Sequence, residues 1–109
     1  MNLINQELAS AVDVTPPDWC IHSGARIVLG NFDGKGGRDA LCYDKAGSKW
    51  FNYANGKKWY VKTSWCTHKG SYIQAVRYNS SDNYYDLVCR DNKGGFWVTY
   101  ALSNGHFLF

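Results

Sequence analysis

The sequence predicts an all-β fold: two four-stranded antiparallel units in tandem, each unable to bury its own faces. Three observations lead there. First, the chain repeats itself. Trp19-Cys20-Ile21-His22-Ser23-Gly24 returns 46 positions later as Trp65-Cys66-Thr67-His68-Lys69-Gly70. Leu41-Cys42-Tyr43-Asp44 returns as Val88-Cys89-Arg90-Asp91, and Trp50-Phe51-Asn52-Tyr53-Ala54 as Trp97-Val98-Thr99-Tyr100-Ala101, both 47 positions on. A period of about 40–50 residues belongs to supersecondary units that bury their faces against neighbours. Second, aromatics make up 17% of the 109 residues and Gly supplies 11, while helix formers are scarce. That balance favours short strands and tight turns. Third, turn signals recur at short intervals along the repeat.

Residues 1–18 stand outside the repeat as an N-terminal arm. Leu3, Ile4, Leu8 and Val12 line one side of a possible short helix, with a flexible arm as the alternative. Pro16-Pro17 ends such a helix and stiffens the entry to the repeat. Blade repeat 1 spans 19–64 and blade repeat 2 spans 65–109. Repeat 1 offers strands at Arg26–Gly30, Asp39–Asp44, Ser48–Ala54 and Lys57–Thr63. Repeat 2 offers them at Tyr72–Tyr78, Asp86–Asp91, Gly95–Ala101 and Gly105–Phe109. Asp33-Gly34-Lys35-Gly36-Gly37, Ala46-Gly47, Asn55-Gly56, Asn92-Lys93-Gly94 and Asn104-Gly105 are among the turns between them. Four antiparallel strands per unit describe a propeller blade. A β-trefoil needs a third copy, and a β-sandwich does not need alike halves.

Four cysteines in a short chain suggest two disulfides with three connectivities. The repeat selects Cys20–Cys42 and Cys66–Cys89, whose spacings nearly match. Disulfides imply an oxidising compartment, so a secreted, extracellular protein is expected. A zinc site on Cys20, His22 and Cys42 is the rival, but Cys-x-His is not a usual ligand spacing. Residues 1–18 lack the basic start and apolar core of a signal peptide.

Net charge is +3, with 12 basic and 9 acidic residues. A basic surface can attract nucleic acid or acidic glycans. No Lys/Arg run exceeds Lys57-Lys58 and no nucleic-acid module is recognisable, so no nucleic-acid partner is expected. No stretch is long and apolar enough for a membrane span.

Gly30-Asn31-Phe32-Asp33-Gly34-Lys35-Gly36-Gly37-Arg38-Asp39-Ala40-Leu41 resembles the FG-GAP (VCBS-like) blade repeat of integrin-type β-propellers and some propeller lectins. Two degenerate copies cover about residues 19–109. The resemblance implies a β-propeller, and a first turn whose oxygens often wrap Ca²⁺, a cation that needs six to eight of them. Asn31, Asp33 and Asp39 keep the first, third and ninth positions and are weak metal candidates. Lys35 takes the fifth, where its ammonium repels a divalent ion, and Arg77 replaces the first ligand in the second copy. The expectation is therefore no metal and no cofactor, with Lys35 and Arg77 neutralising Asp33, Asp39 and Asp86.

Propeller connectivity puts the loop before the first strand and the turn after the second on one rim. That rim gathers Trp19, His22, Asp44 and Lys45 from one copy, and Trp65, His68, Arg90, Asp91 and Asn92 from the other. A sugar needs an aromatic face for its C–H surface and fixed polar groups for its hydroxyls. Trp19, His22, Asp44, Trp65, His68 and Asp91 are accordingly the candidate carbohydrate-binding residues. Trp50 and Trp97 are expected in the inter-blade core, and Tyr53 and Tyr100 as packing residues.

No catalytic residue is expected. All thiols are paired, and no nucleophile elbow, carboxylate pair or phosphate loop appears. The expected function is a lectin, a non-enzymatic carbohydrate-binding protein with multivalent sites between blades; its partners are glycans or glycoproteins. The alternative is a non-catalytic interaction or scaffold subunit of a larger assembly. Two blades cannot close a ring, so a homo-oligomer is expected, a trimer in preference to a tetramer.

Overall fold

The computed structural model describes residues 12–79 and 82–109. The described residues are all-β, with seven strands: β1 (Arg26–Gly30), β2 (Asp39–Tyr43), β3 (Ser48–Asn52), β4 (Lys58–Lys62), β5 (Tyr72–Val76), β6 (Asp86–Arg90) and β7 (Phe96–Thr99). They form two antiparallel meanders, a four-stranded sheet β1-β2-β3-β4 and a three-stranded sheet β5-β6-β7. There is no helix among the described residues. The helix considered on Leu3, Ile4 and Leu8 lies outside them. Disulfides join Cys20 to Cys42 and Cys66 to Cys89, the pairing that the repeat selects.

The register explains which side chains meet. Ile27 lies opposite Cys42 and Cys42 opposite Trp50; Ile73 lies opposite Cys89 and Cys89 opposite Trp97. Side chains alternate between faces along a strand. Val28, Leu41, Tyr43 and Phe51 therefore share one face of the first sheet. Ile73, Leu87 and Cys89 share the face of the second sheet that packs on it, and these residues together with Phe32, Tyr53 and Phe107 form the core. Each sheet thus presents its cysteine-bearing face in the same direction. The second sheet's is covered by the first, and the first sheet's is left outward.

Four side chains tie the two sheets together through main-chain atoms. The Tyr43 hydroxyl accepts from the Ile73 N–H at 3.0 Å, and the Tyr53 hydroxyl donates to Gly105 O at 2.8 Å. Asn31 Nδ2 donates to Asn83 O at 3.1 Å, and Lys45 Nζ donates to Ser71 O. At the close of β1, Gly30 leaves space that a Cβ would fill at 3.1 Å from Ala75 Cβ, so the inner strands approach closely.

The expected eighth strand, Gly105–Phe109, is reduced to one bridge between Ala101 and Phe107. The preceding hairpin turns late, with Leu102 N–H bonding His106 O. Phe107 and Phe109 serve the inter-sheet core instead. Phe107 stacks on Phe51 at 5.6 Å and meets Phe32 edge-on at 5.7 Å, while Phe109 stacks on Trp59 at 6.2 Å. Tyr53 packs as expected at 3% exposure, but Tyr100 is 54% exposed.

Lys49 is the unusual member of the packed face. It is 1% exposed; its Nζ donates to Thr63 O and Gly47 O and lies 5.3 Å from the Phe109 ring centre. Burial pushes its pKa down to about 8, against the opposing pull of Asp44. Burial also pushes the Tyr53 hydroxyl up, with the charges of Asp39 and Asp33 adding to it. The two groups oppose each other in alkali. Between about pH 8 and 10 the unfolded Lys49 (ordinary pKa about 10.4) holds a proton that the folded one has released, so stability rises with pH. Above about pH 10 the unfolded tyrosine ionises while the folded one does not, so stability falls. Denaturation midpoints across this range should pass through a maximum, and Lys49→Met should flatten the rising limb. A monotonic fall from pH 8 would contradict the assignment.

Candidate functional site

The same arrangement is built twice. A tight turn before β1, closed by the Ala25 N–H to His22 O bond at 3.1 Å, presents His22; its counterpart before β5, closed by Ser71 N–H to His68 O at 3.1 Å, presents His68. His22 Nε2 lies 2.9 Å from Asp44 Oδ2, and His68 Nε2 lies 2.8 Å from Asp91 Oδ2. Both histidines meet a tryptophan edge-on: Trp50 at 5.2 Å from His22 and Trp97 at 5.1 Å from His68. Cys20 and Cys66 start these turns at φ of 63° and 60°, a left-handed conformation that costs non-glycine residues about 1–2 kcal/mol.

Each aspartate does two jobs. Asp44 Oδ1 accepts the N–H groups of Ala46 and Ser48 at 3.0 and 3.1 Å, capping its own turn. Asp91 Oδ1 does the same for Lys93 and Gly95 at 3.0 and 2.7 Å. The other oxygen is left for histidine. Partial desolvation pushes the Asp44 carboxyl up, but the bonds from His22, Ser48 and Ala46 outweigh it and hold its pKa below the usual carboxylate range. The Gly95 N–H, then His68 and the Lys93 N–H, lower that of Asp91. A carboxylate can only accept, so each ring donates through Nε2. In the neutral ring this leaves Nδ1 as an acceptor. The histidine side chains are 44% and 45% exposed, whereas the aspartates are 13% and 9% exposed. The fixed carboxylate therefore orients a ring edge that solvent reaches.

The sequence reading brings His22 with Asp44 and His68 with Asp91, and the structure places them so. It omitted Trp50 and Trp97 from the site and assigned them to the core. Instead Trp97 is 47% exposed beside His68, and neither tryptophan belongs to the inter-sheet core. The signal was available in the register: each lies opposite a disulfide cysteine next to the histidine turn. Trp65 lines a pocket of about 150 Å³ with Cys66, His68, Cys89 and Trp97. Its indole also meets Phe109 at 5.4 Å. Trp19 lines a shallow hollow of about 330 Å³ whose other walls include Trp50, Lys58 and Tyr60. Lys45 leaves its own turn to bond Ser71 and His68 O on the neighbouring sheet. Arg90 lies over the Phe96 ring at 5.4 Å, on the other face from Cys89.

The first turn is held by its own backbone. Asp39, 0% exposed, accepts the Phe32 N–H on Oδ2 and the Ala54 N–H on Oδ1, each at 2.8 Å. Asp86 accepts the Ala101 N–H at 2.9 Å in the second copy. Burial raises both carboxyls. Asp33 Oδ1 accepts the Lys35 N–H at 3.1 Å, and Asn31 is engaged with Asn83. Lys35 was expected to neutralise Asp33 and Asp39, yet among the described residues it forms no ion pair with either. Main-chain N–H groups take that role, those of Phe32 and Ala54 at Asp39 and that of Lys35 at Asp33. Arg77 donates through Nε to Asp82 O at 2.9 Å. Among the described residues no group of three or more His, Cys, Asp or Glu is placed to hold a metal ion.

Comparison with family models, with curated proteins and with solved structures found no match to this chain.

Proposed function

We propose that the chain is a carbohydrate-binding protein, a lectin with repeated sites at His22–Asp44–Trp50 and His68–Asp91–Trp97. The observation that supports this reading is the duplication itself. Two separate segments, with different neighbours, hold a solvent-facing imidazole at nearly the same distance from a capped carboxylate and a tryptophan edge. A lone His–Asp pair satisfies a turn; a doubled one beside an indole suits a repeated ligand. The indole offers an apolar surface for sugar C–H groups, and the exposed histidine Nδ1 offers a hydrogen bond for a hydroxyl. Trp19 and Trp65 widen the apolar surface.

Binding rather than catalysis fits the residues. All four cysteines are in disulfides, so no thiol nucleophile is present. Each aspartate has one oxygen committed to turn N–H groups and the other to histidine. Two disulfides are typical of extracellular proteins, where glycans are displayed. FG-GAP-like blades assembled into a ring of several copies would multiply the sites and raise avidity. The scaffold alternative draws on the exposed aromatic faces of the sheets.

A glycan array of neutral and acidic sugars, followed by inhibition of cell agglutination with the best simple sugar, tests the reading. The His22→Ala/His68→Ala variant should keep its fold and lose about tenfold in single-site affinity, the equivalent of one hydrogen bond. A silent array, or a variant that binds sugar unchanged, would sink the lectin assignment.

A further inference from the structure

The second sheet's outer face is laid out like the face that the first sheet buries. Phe32 follows β1 and packs, fully buried, over the first sheet. Tyr78 follows β5 at the equivalent position and lies between Phe96 and Tyr100, at 6.1 and 6.0 Å, but is 49% exposed. Tyr53 and Lys49 are 3% and 1% exposed; their counterparts Tyr100 and Phe96 are 54% and 46% exposed. The first sheet's outer face shows the converse. Ile27 is 44% exposed where its counterpart Ile73 is 4% exposed, and Leu29 is 41% exposed where Ala75 is packed against the core. Residues 12–19 reach the β3–β4 side of that face, where Asn52 Nδ2 donates to Val14 O at 3.0 Å.

The contact inside the chain is thus a template for a contact between chains. We infer that the outer face of β5-β6-β7 docks on the outer face of β1-β2-β3-β4 of a second copy of this chain, repeating head to tail the packing of the first sheet on the second. Solvent exposure alone would place polar and charged residues at these positions, yet the exposed members are Ile, Leu, Phe and Tyr. The contact is heterologous, so it closes only as a ring.

It also completes the first site. Within the chain, Lys45 of the first sheet reaches Ser71 and His68 O of the second sheet's histidine turn. The counterparts are Asn92 and Ala25. The second copy's Asn92 is brought to the His22 turn as Lys45 is brought to the His68 turn, so both histidine sites sit between sheets. This inference deepens the lectin reading by making its first site an inter-copy site.

The test uses two blocked variants of the full chain. Ile27→Asp/Leu29→Asp closes the first sheet's outer face, and Phe96→Asp/Tyr100→Asp closes the second's. Circular dichroism and intact disulfides by mass spectrometry verify folding. By sedimentation the unmodified chain should be one discrete species of several chain masses and each variant a monomer. An equimolar mixture should give a one-to-one heterodimer, because each variant keeps the face the other lacks. An unmodified chain that sediments as a monomer, or folded variants that neither dissociate nor pair, overturns the inference. Sugar binding is measured separately. A monomer that binds sugar overturns the docking and leaves the lectin reading standing; a ring that binds none supports the docking and removes the lectin.

Discussion

Phe51→Ala should lower the unfolding free energy by about 3–5 kcal/mol, a large part of the stability of a domain this size. The ring is 1% exposed and lies mid-strand on the packed face. It stacks on Trp59 at 5.1 Å, on Phe107 at 5.6 Å and on Tyr53 at 6.1 Å, and meets Phe32 edge-on at 5.7 Å. Those partners come from β4, from the C-terminal segment, from the end of β3 and from the first turn. A void there loses contacts on several sides at once, and aromatic neighbours cannot collapse into it without leaving their rotamers. Urea titration should show a lower midpoint with an unchanged slope. Leu108→Ala, at a side chain 76% exposed, should move the midpoint little. Equal effects from the two substitutions would mean that the inter-sheet aromatic cluster is not the core.

Replacing Cys66 and Cys89 by Ala should cost about 3 kcal/mol from the restored freedom of the unfolded chain. Replacing Cys20 and Cys42 restores a loop of nearly the same length, with sequence separations of 22 against 23. The chain-entropy contributions are therefore alike. The surroundings differ. Cys66 and Cys89 both belong to the inter-sheet core, whereas Cys42 faces outward from it. The second disulfide also serves the sheet with three strands rather than four. Its loss should exceed that of the first, and thermal unfolding of the two double variants in parallel measures the difference. If removing Cys20–Cys42 proved the costlier change, the assignment of the buried face would be reversed.

The strands and the disulfides were legible because both rest on local signals, namely period-two stretches between Gly and Asn turns, and cysteines at matched spacing. The direction each face takes was not legible. Parity along β3 places Trp50 with Cys42, yet nothing local says that this face is the outward one, so a mid-strand tryptophan read as core. Tyr53 and Tyr100 occupy the same place in the repeat and differ because one sheet is covered and the other is not. The eighth strand failed for a related reason. Phe107 and Phe109 have strand-like character, but the aromatic cluster on the neighbouring sheet competes for them more strongly than a short edge ladder does. At the first turn, the oxygen-rich pattern pointed to an electrostatic problem that main-chain N–H groups solve without a side-chain cation.

The joint between the halves has an evolutionary consequence. Tyr43, Tyr53, Asn31 and Lys45 all come from the first copy, and each grips a peptide N–H or C=O in the second. A peptide C=O is offered by every residue and a peptide N–H by every residue but proline, whatever the side chain. Drift in the second copy is therefore largely free to proceed at those positions without loosening the joint, whereas the four gripping residues of the first copy are not free to drift.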